Sequence, residues 1–440
     1  LDHTSCHPVS LDSSKFSCLL YADDIVLLSE TAEGLQNCLN GLQKFCSSWG
    51  LSVNLKKTKI LVFNKVGKKE KTSFLFKNMT IENVTKYKYL GVIFQASGCF
   101  TEAKLELYNK ALKAFFKLRK VMGTNLPNIS TMLHIFDHTI VPILLYGSEI
   151  WGCFDPRSRK VKKENTFKIH AAFDSLICES LQLKFCKYIL GVNKHATNNA
   201  VYGELGRYPL YVMVVRSMIS YWQRLESLSS SGTDFPLLCK ALHVSKSLHQ
   251  KGKLSWFACV NFIVRDLNLN IDVPDSISVH NILTSLRDLF ESKWKKSIWD
   301  DSSSKSGKNK LRTYRDFKTT FNMEKYLLCI RNKSLRECLC KFRISAHDLA
   351  IERGRYKNLQ VEDRVCSCDN SRVEDELHFL MECPHYTTMR EHLFNFIQNR
   401  NKNFLDLSPQ NKCVWILSNE DEEVCQKLAS FIQQSLEKRP

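Results

Sequence analysis

The sequence predicts an α+β protein, in which an incomplete strand-and-helix region is followed by a mainly helical remainder. Residues 16–20 and 25–29 are two short apolar runs separated by four residues, which is the spacing of a β-hairpin. After residue 101, apolar side chains recur every three or four positions, which is the period of an amphipathic helix. Strands followed by a run of helices are typical of the α+β class.

In the first hundred residues, each element follows from the spacing of its apolar side chains. Residues 1–15 show no periodicity and are predicted to form a loop. A helix is predicted after Thr31 and ends at Gly50. Its apolar face consists of Leu35, Leu39, Leu42, Phe45 and Trp49. Short strands are predicted at residues 51–55, 60–63 and 87–94.

A long amphipathic helix is predicted next, with Thr101 as its N-cap and Gly123 at its C-terminal end. The face opposite its apolar side carries Lys104, Lys110, Lys113, Lys117 and Lys120. Residues 132–150 are predicted to continue as a helix bent at Pro142. Residues 151–330 are predicted to be mainly helical, and a final helix is predicted at residues 421–436.

The charge of the chain indicates a polyanionic partner. Its 63 Lys and Arg residues outnumber its 45 Asp and Glu residues, which gives a net charge of +18. Such a basic chain attracts nucleic acid first and anionic membranes second. A generally basic surface without a specific partner is the alternative that composition leaves open.

The cysteines and the absence of targeting signals predict an intracellular protein. Eighteen cysteines in 440 residues are too dilute for a secreted disulfide scaffold, so most are expected to be small core residues. No apolar run approaches the roughly 18 residues of a membrane span, and no signal peptide opens the chain. The chain begins with Leu1 rather than Met, which suggests a fragment.

Two adjacent carboxylates, Asp23 and Asp24, lie at the turn of the predicted hairpin, after Tyr21 and Ala22. Buried strands on both sides would make these carboxylates costly unless a cation meets them. Mg²⁺ prefers such oxygen ligands, and two ions can activate a primer hydroxyl and stabilise the leaving pyrophosphate. Because neighbouring side chains point to opposite faces, Asp23 is predicted to bridge the metals and Asp24 to be peripheral. The alternative is an ordinary Asp-Asp turn.

The hairpin and the segments after it resemble the reverse transcriptases of non-LTR (LINE-type) retrotransposons. The resemblance begins with the tetrad Tyr21-Ala22-Asp23-Asp24 and its apolar flanks. It continues in order through residues 49–54 with 57–59, 87–92, 144–152 and 185–192. It covers nearly the whole chain.

This resemblance implies an RNA-directed DNA polymerase, a nucleotidyltransferase that extends a DNA 3′ end on an RNA template with Mg²⁺ and dNTPs. Lys57 would be the general acid for pyrophosphate, although any one Lys in this basic segment has a solvated alternative. Leu90 and Gly91 would lie near the primer terminus, and Tyr21 and Ala22 would contact nucleic acid. The lysine-lined helix, with Lys113 and Lys117, would be a thumb on the RNA–DNA duplex.

The resemblance also implies that something essential is missing. The family's palm needs another metal-binding Asp on an earlier strand, together with fingers that hold the template. Asp2 and Asp12 lie in loop-like sequence and are not credible substitutes. We therefore expect this chain alone not to polymerise. In the cell, the family implies a ribonucleoprotein of nucleus and cytoplasm.

Cysteine and histidine gather near the C-terminus, as Cys366, Cys368, His378 and Cys383. Three thiols and one imidazole can complete a tetrahedral Zn²⁺ site. A turn would supply the first two ligands and the end of a helix the last two, with His385 as a possible replacement. The one-residue spacing of the first pair is tighter than usual, so coincidence in a Cys-rich chain is the alternative.

This Cys/His segment also resembles the C-terminal region of LINE-type proteins, where it would bind element RNA or target DNA. Arg353 and Arg355 are candidate phosphate contacts in the same region, and the lysine-rich residues 160–168 and 305–315 are weaker ones. His347 is predicted to be structural, and Cys338 and Cys340 are predicted to be core residues.

Five regions are predicted along the chain. They are a partial palm (1–100), thumb-like helices (101–152), a helical connector (153–330), a zinc-knuckle-like module (331–395) and a helical tail (396–440). Two other hypotheses remain beside the polymerase: a non-catalytic nucleic-acid-binding protein, and a decayed retroelement reading frame. No oligomeric state is predicted.

Overall fold

All nine described strands lie within residues 9–95, and helices make up most of the remaining described chain, which confirms the α+β class. The computed structural model describes residues 5–12, 14–64, 67–69, 71–123, 127–152, 176–230, 236–269, 278–302 and 309–439. Contacts divide the chain into two units. The first is Leu1–Lys110, Leu144–Ile169 and Met213–Leu283, and the second is Ala111–Ile143, His170–Val212 and Thr284–Pro440. The five-region division stays a prediction.

Two short hairpins open the first unit. Strands β1 (Val9–Leu11) and β2 (Ser14–Phe16) pair antiparallel, so the prediction of a loop over residues 1–15 is wrong in part. Strands of three residues are too short to show an alternating pattern. Strands β3 (Cys18–Tyr21) and β4 (Asp24–Leu27) then form the hairpin predicted from the apolar runs.

Helix α1 (Ala32–Ser48) begins where the sequence predicts. The Thr31 hydroxyl accepts a hydrogen bond from the Gly34 N–H at 3.0 Å, which satisfies a free donor of the first turn. The helix packs beside a sheet of order β5-β7-β6, formed by β5 (Lys59–Leu61), β6 (Phe74–Phe76) and β7 (Met79–Val84). Their shared core consists of Leu39, Ile60, Phe74, Phe76 and Ile81.

The strand predicted at residues 51–55 is absent, because these residues form a loop and a turn. Val53 and Leu55 nevertheless pack against the core around Ile60. Their alternation with polar neighbours therefore reflects burial of two side chains from a loop, which sequence alone does not distinguish from a strand.

The strand predicted at residues 87–94 is instead another hairpin with a two-residue turn, formed by β8 (Lys86–Tyr89) and β9 (Val92–Gln95). Helix α2 (Thr101–Met122) follows and is fastened to it by ion pairs, from Lys86 to Glu102 at 3.0 Å and from Lys88 to Glu106 at 2.7 Å. Thr101 is already helical, so it is not the predicted N-cap. The side-chain oxygen of Gln95 caps this end by accepting from the Glu102 N–H at 2.9 Å.

The bent helix predicted at residues 132–150 is instead three helices, α3 (Ile129–Thr139), α4 (Val141–Leu144) and α5 (Ser148–Trp151). Pro142 has no N–H to continue the helix, and Gly147 takes a left-handed φ of +73°. Both features end helices rather than bend them.

Helices dominate the described chain after residue 175. They are α6 (Ile177–Ile189), α7 (Asn198–Leu205), α8 (Tyr211–Ser230), α9 (Pro236–Gln250), α10 (Trp256–Asp266), α11 (Val279–Trp299), α12 (Tyr314–Phe317), α13 (Tyr326–Cys329), α14 (Lys333–Arg343), α15 (Ala350–Tyr356), α16 (Thr387–Gln398), α17 (Pro409–Leu417) and α18 (Glu422–Glu437). The predicted final helix is α18, capped by the Asp421 carboxylate. It packs along α14 within the second unit.

Among the helices that the structure describes, none combines the length and the apolar character that crossing a membrane requires. Many described cysteines are small buried residues, as predicted, and Cys340 lies in the core while Cys338 is half-buried. Residues 160–168, a predicted basic contact, lie outside the described residues.

Candidate catalytic hairpin and metal centre

The tetrad Tyr21-Ala22-Asp23-Asp24 forms the tip of the β3–β4 hairpin. Tyr21 pairs with Asp24, so Ala22 and Asp23 are the two turn residues. Ala22 has a φ of +50°, a left-handed conformation that disfavours residues with a Cβ. Strained backbone of this kind persists where the surroundings hold it, and it occurs often at functional sites. All four tip side chains are exposed, so both carboxylates are accessible to ions and nucleotides.

The expectation that buried strands flank these carboxylates is wrong. Leu20 is 72% exposed, Tyr21 is 62% exposed and Ile25 is 43% exposed, because β3 and β4 form a sheet of only two strands. The hairpin is attached at its base instead. Leu27 packs against the core beneath α1, and the Leu28 N–H donates to the Ser17 carbonyl at 2.7 Å. The tip therefore extends from a base that the core holds in place. Because the two carboxylates are exposed, desolvation does not require a cation beside them.

Lys57 lies in a turn that leads into β5. The side-chain oxygen of Asn54 accepts from the Lys56 and Lys57 N–H groups at 3.1 and 3.3 Å, which fixes the turn. The Lys57 side chain is exposed. Leu55, two residues earlier, packs against the same core as Leu27, so one core supports both the hairpin base and the Lys57 turn.

Leu90 and Gly91 are the turn residues of the β8–β9 hairpin, with φ of +46° and +85°. The Tyr146 hydroxyl donates to the Leu90 carbonyl at 3.0 Å. Tyr87, on β8, donates its hydroxyl to the Lys57 carbonyl at 3.1 Å. The structure thus joins three segments that the sequence presents as separate motifs.

The lysines of α2 have different surroundings. Lys104 lies over the Trp151 ring, 5.3 Å from its centroid, and Lys110 pairs with Glu106 at 2.9 Å. Lys113 and Lys117 are exposed, and no ion pair is described for either. These two predicted contacts therefore remain accessible to phosphate.

The predicted zinc ligands Cys366, Cys368, His378 and Cys383 lie together, with their ligand atoms all within 4.8 Å of one another. The Cys366 and Cys383 sulfurs are 3.8 Å apart, and the Cys368 sulfur is 3.4 Å from His378 Nε2. A tetrahedral Zn²⁺ with bonds of about 2.3 Å to sulfur and about 2.0 Å to nitrogen would separate such atoms by about 3.8 and 3.5 Å. The four residues therefore fit this metal.

The segments that carry the ligands match the prediction. Cys366 and Cys368 lie in a turn, His378 begins a π-helical turn (His378–Glu382), and Cys383 follows it directly. Burial and the neighbouring Cys366 thiol raise the pKa of Cys368 to about 12, so thiolates here require a cation. His385 is exposed and lies outside the cluster, which rules it out as the predicted replacement ligand in this arrangement.

Two neighbours orient the ligands. His378 Nδ1 is buried without a hydrogen-bond partner in the described structure, and the Glu382 carboxylate lies 3.7 Å away. A proton on Nδ1 would face this carboxylate and leave Nε2 for the metal. The buried Arg390 guanidinium donates to the Leu380 and Cys383 carbonyls, which fixes the backbone around the last ligand.

A buried network of hydrogen bonds and ion pairs surrounds Glu376, two residues before His378. Glu376 accepts hydrogen bonds from Arg312 at 2.7 Å, Ser345 at 2.8 Å and His347 at 2.9 Å. Burial alone would raise the pKa of Glu376, but Arg312 and these donors hold it well below the usual range. His347 is therefore structural, as predicted.

The prediction of a nucleic-acid contact at residues 305–315 is wrong for its described part, residues 309–315. Arg312 is buried between Glu376 and Glu352, and Arg315 pairs with Asp301 at 3.1 Å. The positive charges of Arg312 and Arg315 are neutralised by carboxylates within the fold. Likewise Arg355 lies 3.3 Å from Glu352, whereas Arg353 is exposed.

Within the described residues, the Cys/His cluster is the only group of three or more possible metal ligands. Asp23 and Asp24 thus have no third carboxylate beside them among these residues. Asp12 lies in a turn with a φ of +53° and faces His243 at 3.6 Å. Asp2 lies outside the described residues.

Residues 4–94 match the family model of reverse transcriptase, the RNA-dependent DNA polymerase. This reverse-transcriptase-like segment contains both carboxylates of the hairpin tip, the Lys57 turn and the Leu90–Gly91 turn. It lies within residues 1–100, whose assignment as a partial palm stays a prediction.

Three relatives agree with this match. A putative uncharacterized transposon-derived protein of Caenorhabditis elegans is 30% identical over 146 residues, which are 33% of this chain and 52% of that protein. A probable RNA-directed DNA polymerase from transposon BS of Drosophila melanogaster is 28% identical over 149 residues, 32% of this chain and 16% of the relative. The retrovirus-related Pol polyprotein from the type-1 retrotransposable element R2 of Nasonia vitripennis is 32% identical over 97 residues, 20% and 10% of the two chains. The matches therefore span about half or less of these relatives' length.

Sequence reasoning missed Tyr146, Tyr87 and Arg390. Each acts through a hydrogen bond to a backbone carbonyl distant in sequence or across a turn, and spacing carries no signal for such a bond. Tyr146 was within a recognised motif, but its partner Leu90 lies 56 residues earlier.

Proposed function

We propose that the chain is part of a retroelement RNA-directed DNA polymerase, in which Asp23 binds Mg²⁺ during extension of a DNA 3′ end. The accessible, strained hairpin tip within the reverse-transcriptase-like segment carries this proposal. Two metal ions, where bound, would activate the 3′ hydroxyl and stabilise the leaving pyrophosphate. Asp24 begins β4 and plays the peripheral part.

The remaining site residues are proposed to act on the nucleic acid. The exposed Lys57 would donate a proton to pyrophosphate. Tyr21 and Ala22 at the tip, and Leu90 and Gly91 at the second turn, would contact the primer strand.

The chain is proposed to need a further carboxylate for catalysis. Two adjacent exposed carboxylates cannot hold two Mg²⁺ ions in register, and the described residues place no third one beside them. The relatives named as polymerases are much longer than the segments matched here. Nucleic-acid binding without catalysis is the second candidate function. It is favoured because the described residues place no third carboxylate beside Asp23 and Asp24.

The zinc module is proposed to bind element RNA or target DNA, with the exposed Arg353 as a phosphate contact. Zn²⁺ would have a structural role there, because all four positions of the tetrahedron are taken by protein ligands. We further propose that the complex resides as a ribonucleoprotein in nucleus and cytoplasm.

Hybrid binding by the 440-residue chain tests the nucleic-acid part of this proposal. The Lys113→Gln/Lys117→Gln double variant is expected to lower the slope of log affinity against log salt by about 2, since each phosphate contact contributes about 0.9. Fluorescence anisotropy with an RNA–DNA hybrid at several salt concentrations measures this slope.

The matched control is Lys110→Gln, because Lys110 lies on the same helix but pairs with Glu106. Lys110→Gln is expected to change the slope of log affinity against log salt by less than half of the change that each lysine of the double variant causes. An unchanged slope in the double variant would contradict the thumb-like role of α2.

A further inference from the structure

The Leu90–Gly91 turn has a conformation that its own sequence does not favour. Both turn residues have positive φ, as a type I′ turn requires, and such turns prefer Asn-Gly or Asp-Gly. A bulky residue such as Leu90 at a φ of +46° is an outlier. Contacts from outside the hairpin must therefore hold this turn.

Tyr146 supplies these contacts. Its hydroxyl donates to the Leu90 carbonyl at 3.0 Å, and its ring lies over Gly91, where an added Cβ would come within 3.0 Å of Cε1. The ring thus contacts one turn residue while the hydroxyl fixes the other. Gly91 is needed both for its φ and for this close approach.

Tyr146 is itself held in place by the buried core. The Trp151 indole N–H donates to the Tyr146 carbonyl at 2.7 Å, and Trp151 is 1% exposed. Gly147 turns the chain between them with a φ of +73°, a left-handed conformation that glycine adopts without strain. A fixed backbone therefore presents the Tyr146 side chain to the turn.

The resulting surface is open to a ligand. Tyr146 is 51% exposed and Leu90 is 42% exposed, although both are held by hydrogen bonds. The other end of β8 is tied to the Lys57 turn through the Tyr87 hydroxyl. Rigid and exposed backbone beside an aromatic ring is suited to contact with a sugar-phosphate strand.

We propose that Tyr146 is a positioning residue, which holds the Leu90–Gly91 turn in its left-handed conformation as the surface that receives the DNA 3′ end. The inference rests on the proposed function, because the strand that the turn receives is the primer of that reaction. It adds a residue from outside the reverse-transcriptase-like segment, since Tyr146 lies beyond residue 94.

The test compares two hybrids with the 440-residue chain. One RNA–DNA hybrid has a recessed DNA 3′ end, and the other has the same sequence with a blunt end. The unaltered chain is expected to prefer the recessed end. Tyr146→Phe, which removes one hydrogen bond, is expected to reduce this preference roughly 3- to 10-fold.

Rescue distinguishes positioning from a general structural role. Leu90→Gly adopts the left-handed conformation without help, so adding it to Tyr146→Phe should restore the preference. Tyr221→Phe, at a hydroxyl with no hydrogen bond described, is the control and should leave the preference unchanged. Thermal unfolding of each variant checks that the fold is retained.

The outcomes separate the two claims. If the unaltered chain binds neither hybrid, the proposed function and this inference both fail. If it binds and prefers the recessed end, but Tyr146→Phe keeps that preference, the inference alone is overturned. Equal weakening on both hybrids, without rescue by Leu90→Gly, also overturns it.

Discussion

Replacement of Cys366 by serine is expected to remove about one equivalent of zinc per chain and to unfold the module around it. The Cys366 turn, the π-helical turn at His378 and the Cys383 backbone that Arg390 binds converge at the four ligands. The free energy of structural zinc binding is about 10–16 kcal/mol in isolated finger peptides. It contributes directly to folding, because the unfolded chain has no preformed site. Elemental analysis of the purified protein measures the zinc, and thermal unfolding measures the loss of stability.

Cys338→Ser is the matched control for this prediction. Cys338 lies half-buried on α14, outside the cluster, so its replacement should leave the zinc content unchanged. A chelator should destabilise the unaltered protein and have little further effect on Cys366→Ser. Equal zinc in Cys366→Ser and the unaltered protein would show that the cluster does not bind this metal.

Glu376→Gln is expected to lower the free energy of unfolding by about 3–5 kcal/mol, because it removes one of the two carboxylates that neutralise the Arg312 charge and leaves only Glu352. Glu376 is 1% exposed and accepts hydrogen bonds from Arg312, Thr313, Ser345 and His347. An amide keeps the shape but loses the charge and one acceptor. Chemical denaturation at neutral pH measures the difference.

Acid should reproduce the effect in the unaltered protein. The pKa of Glu376 is lowered in the fold, so its contribution is present above the ordinary carboxyl pKa and is lost as the pH falls below it. Glu376→Gln should therefore be less sensitive to acid than the unaltered chain. Glu420→Gln, at an exposed pair with Lys325, should cost less than about 1 kcal/mol. Equal costs for the two variants would contradict the importance of the buried network.

Sequence predicted most where a local pattern specifies a local structure. The β3–β4 hairpin, the start of the helix after Thr31, the start of α18 and the clustering of the Cys/His residues all follow from spacing and residue type. At the Cys/His cluster the observed distances agree with the prediction, because three thiols and one imidazole bind Zn²⁺ in a tetrahedral arrangement.

Sequence failed where the outcome depends on a distant partner. Residues 51–55 look like a strand because Val53 and Leu55 alternate with polar residues. Both side chains pack against the core, but the backbone that carries them is a loop. Arg312 and Arg315 look like phosphate contacts, but Glu376 and Asp301 neutralise them inside the fold. The β8–β9 hairpin was missed because a Leu-Gly turn is unfavourable unless Tyr146 holds it. No local pattern contains these partners.

At the exposed hairpin tip, one argument for the predicted site fails, while the site itself stays a prediction. A cation was predicted there because buried strands would make the two carboxylates costly, yet all four tip residues are exposed. Its support is now the strained turn at Ala22 and the match of residues 4–94. The expectation that burial makes a cation necessary at Asp23 and Asp24 is dropped, because exposed carboxylates do not by themselves require a metal.

Primer extension tests the central claim most directly. On an RNA template with a DNA primer, Mg²⁺ and dNTPs, the 440-residue chain is predicted to add no nucleotides. A longer protein, in which this chain follows a segment that supplies the further carboxylate, is predicted to extend the primer and to lose that activity on Asp23→Ala by roughly 100-fold or more. Asp363→Ala, at an exposed turn of the second unit, should retain it. Asp23-dependent extension by the 440-residue chain would contradict the need for a further carboxylate, and extension by the longer protein that survives Asp23→Ala would contradict the catalytic assignment itself.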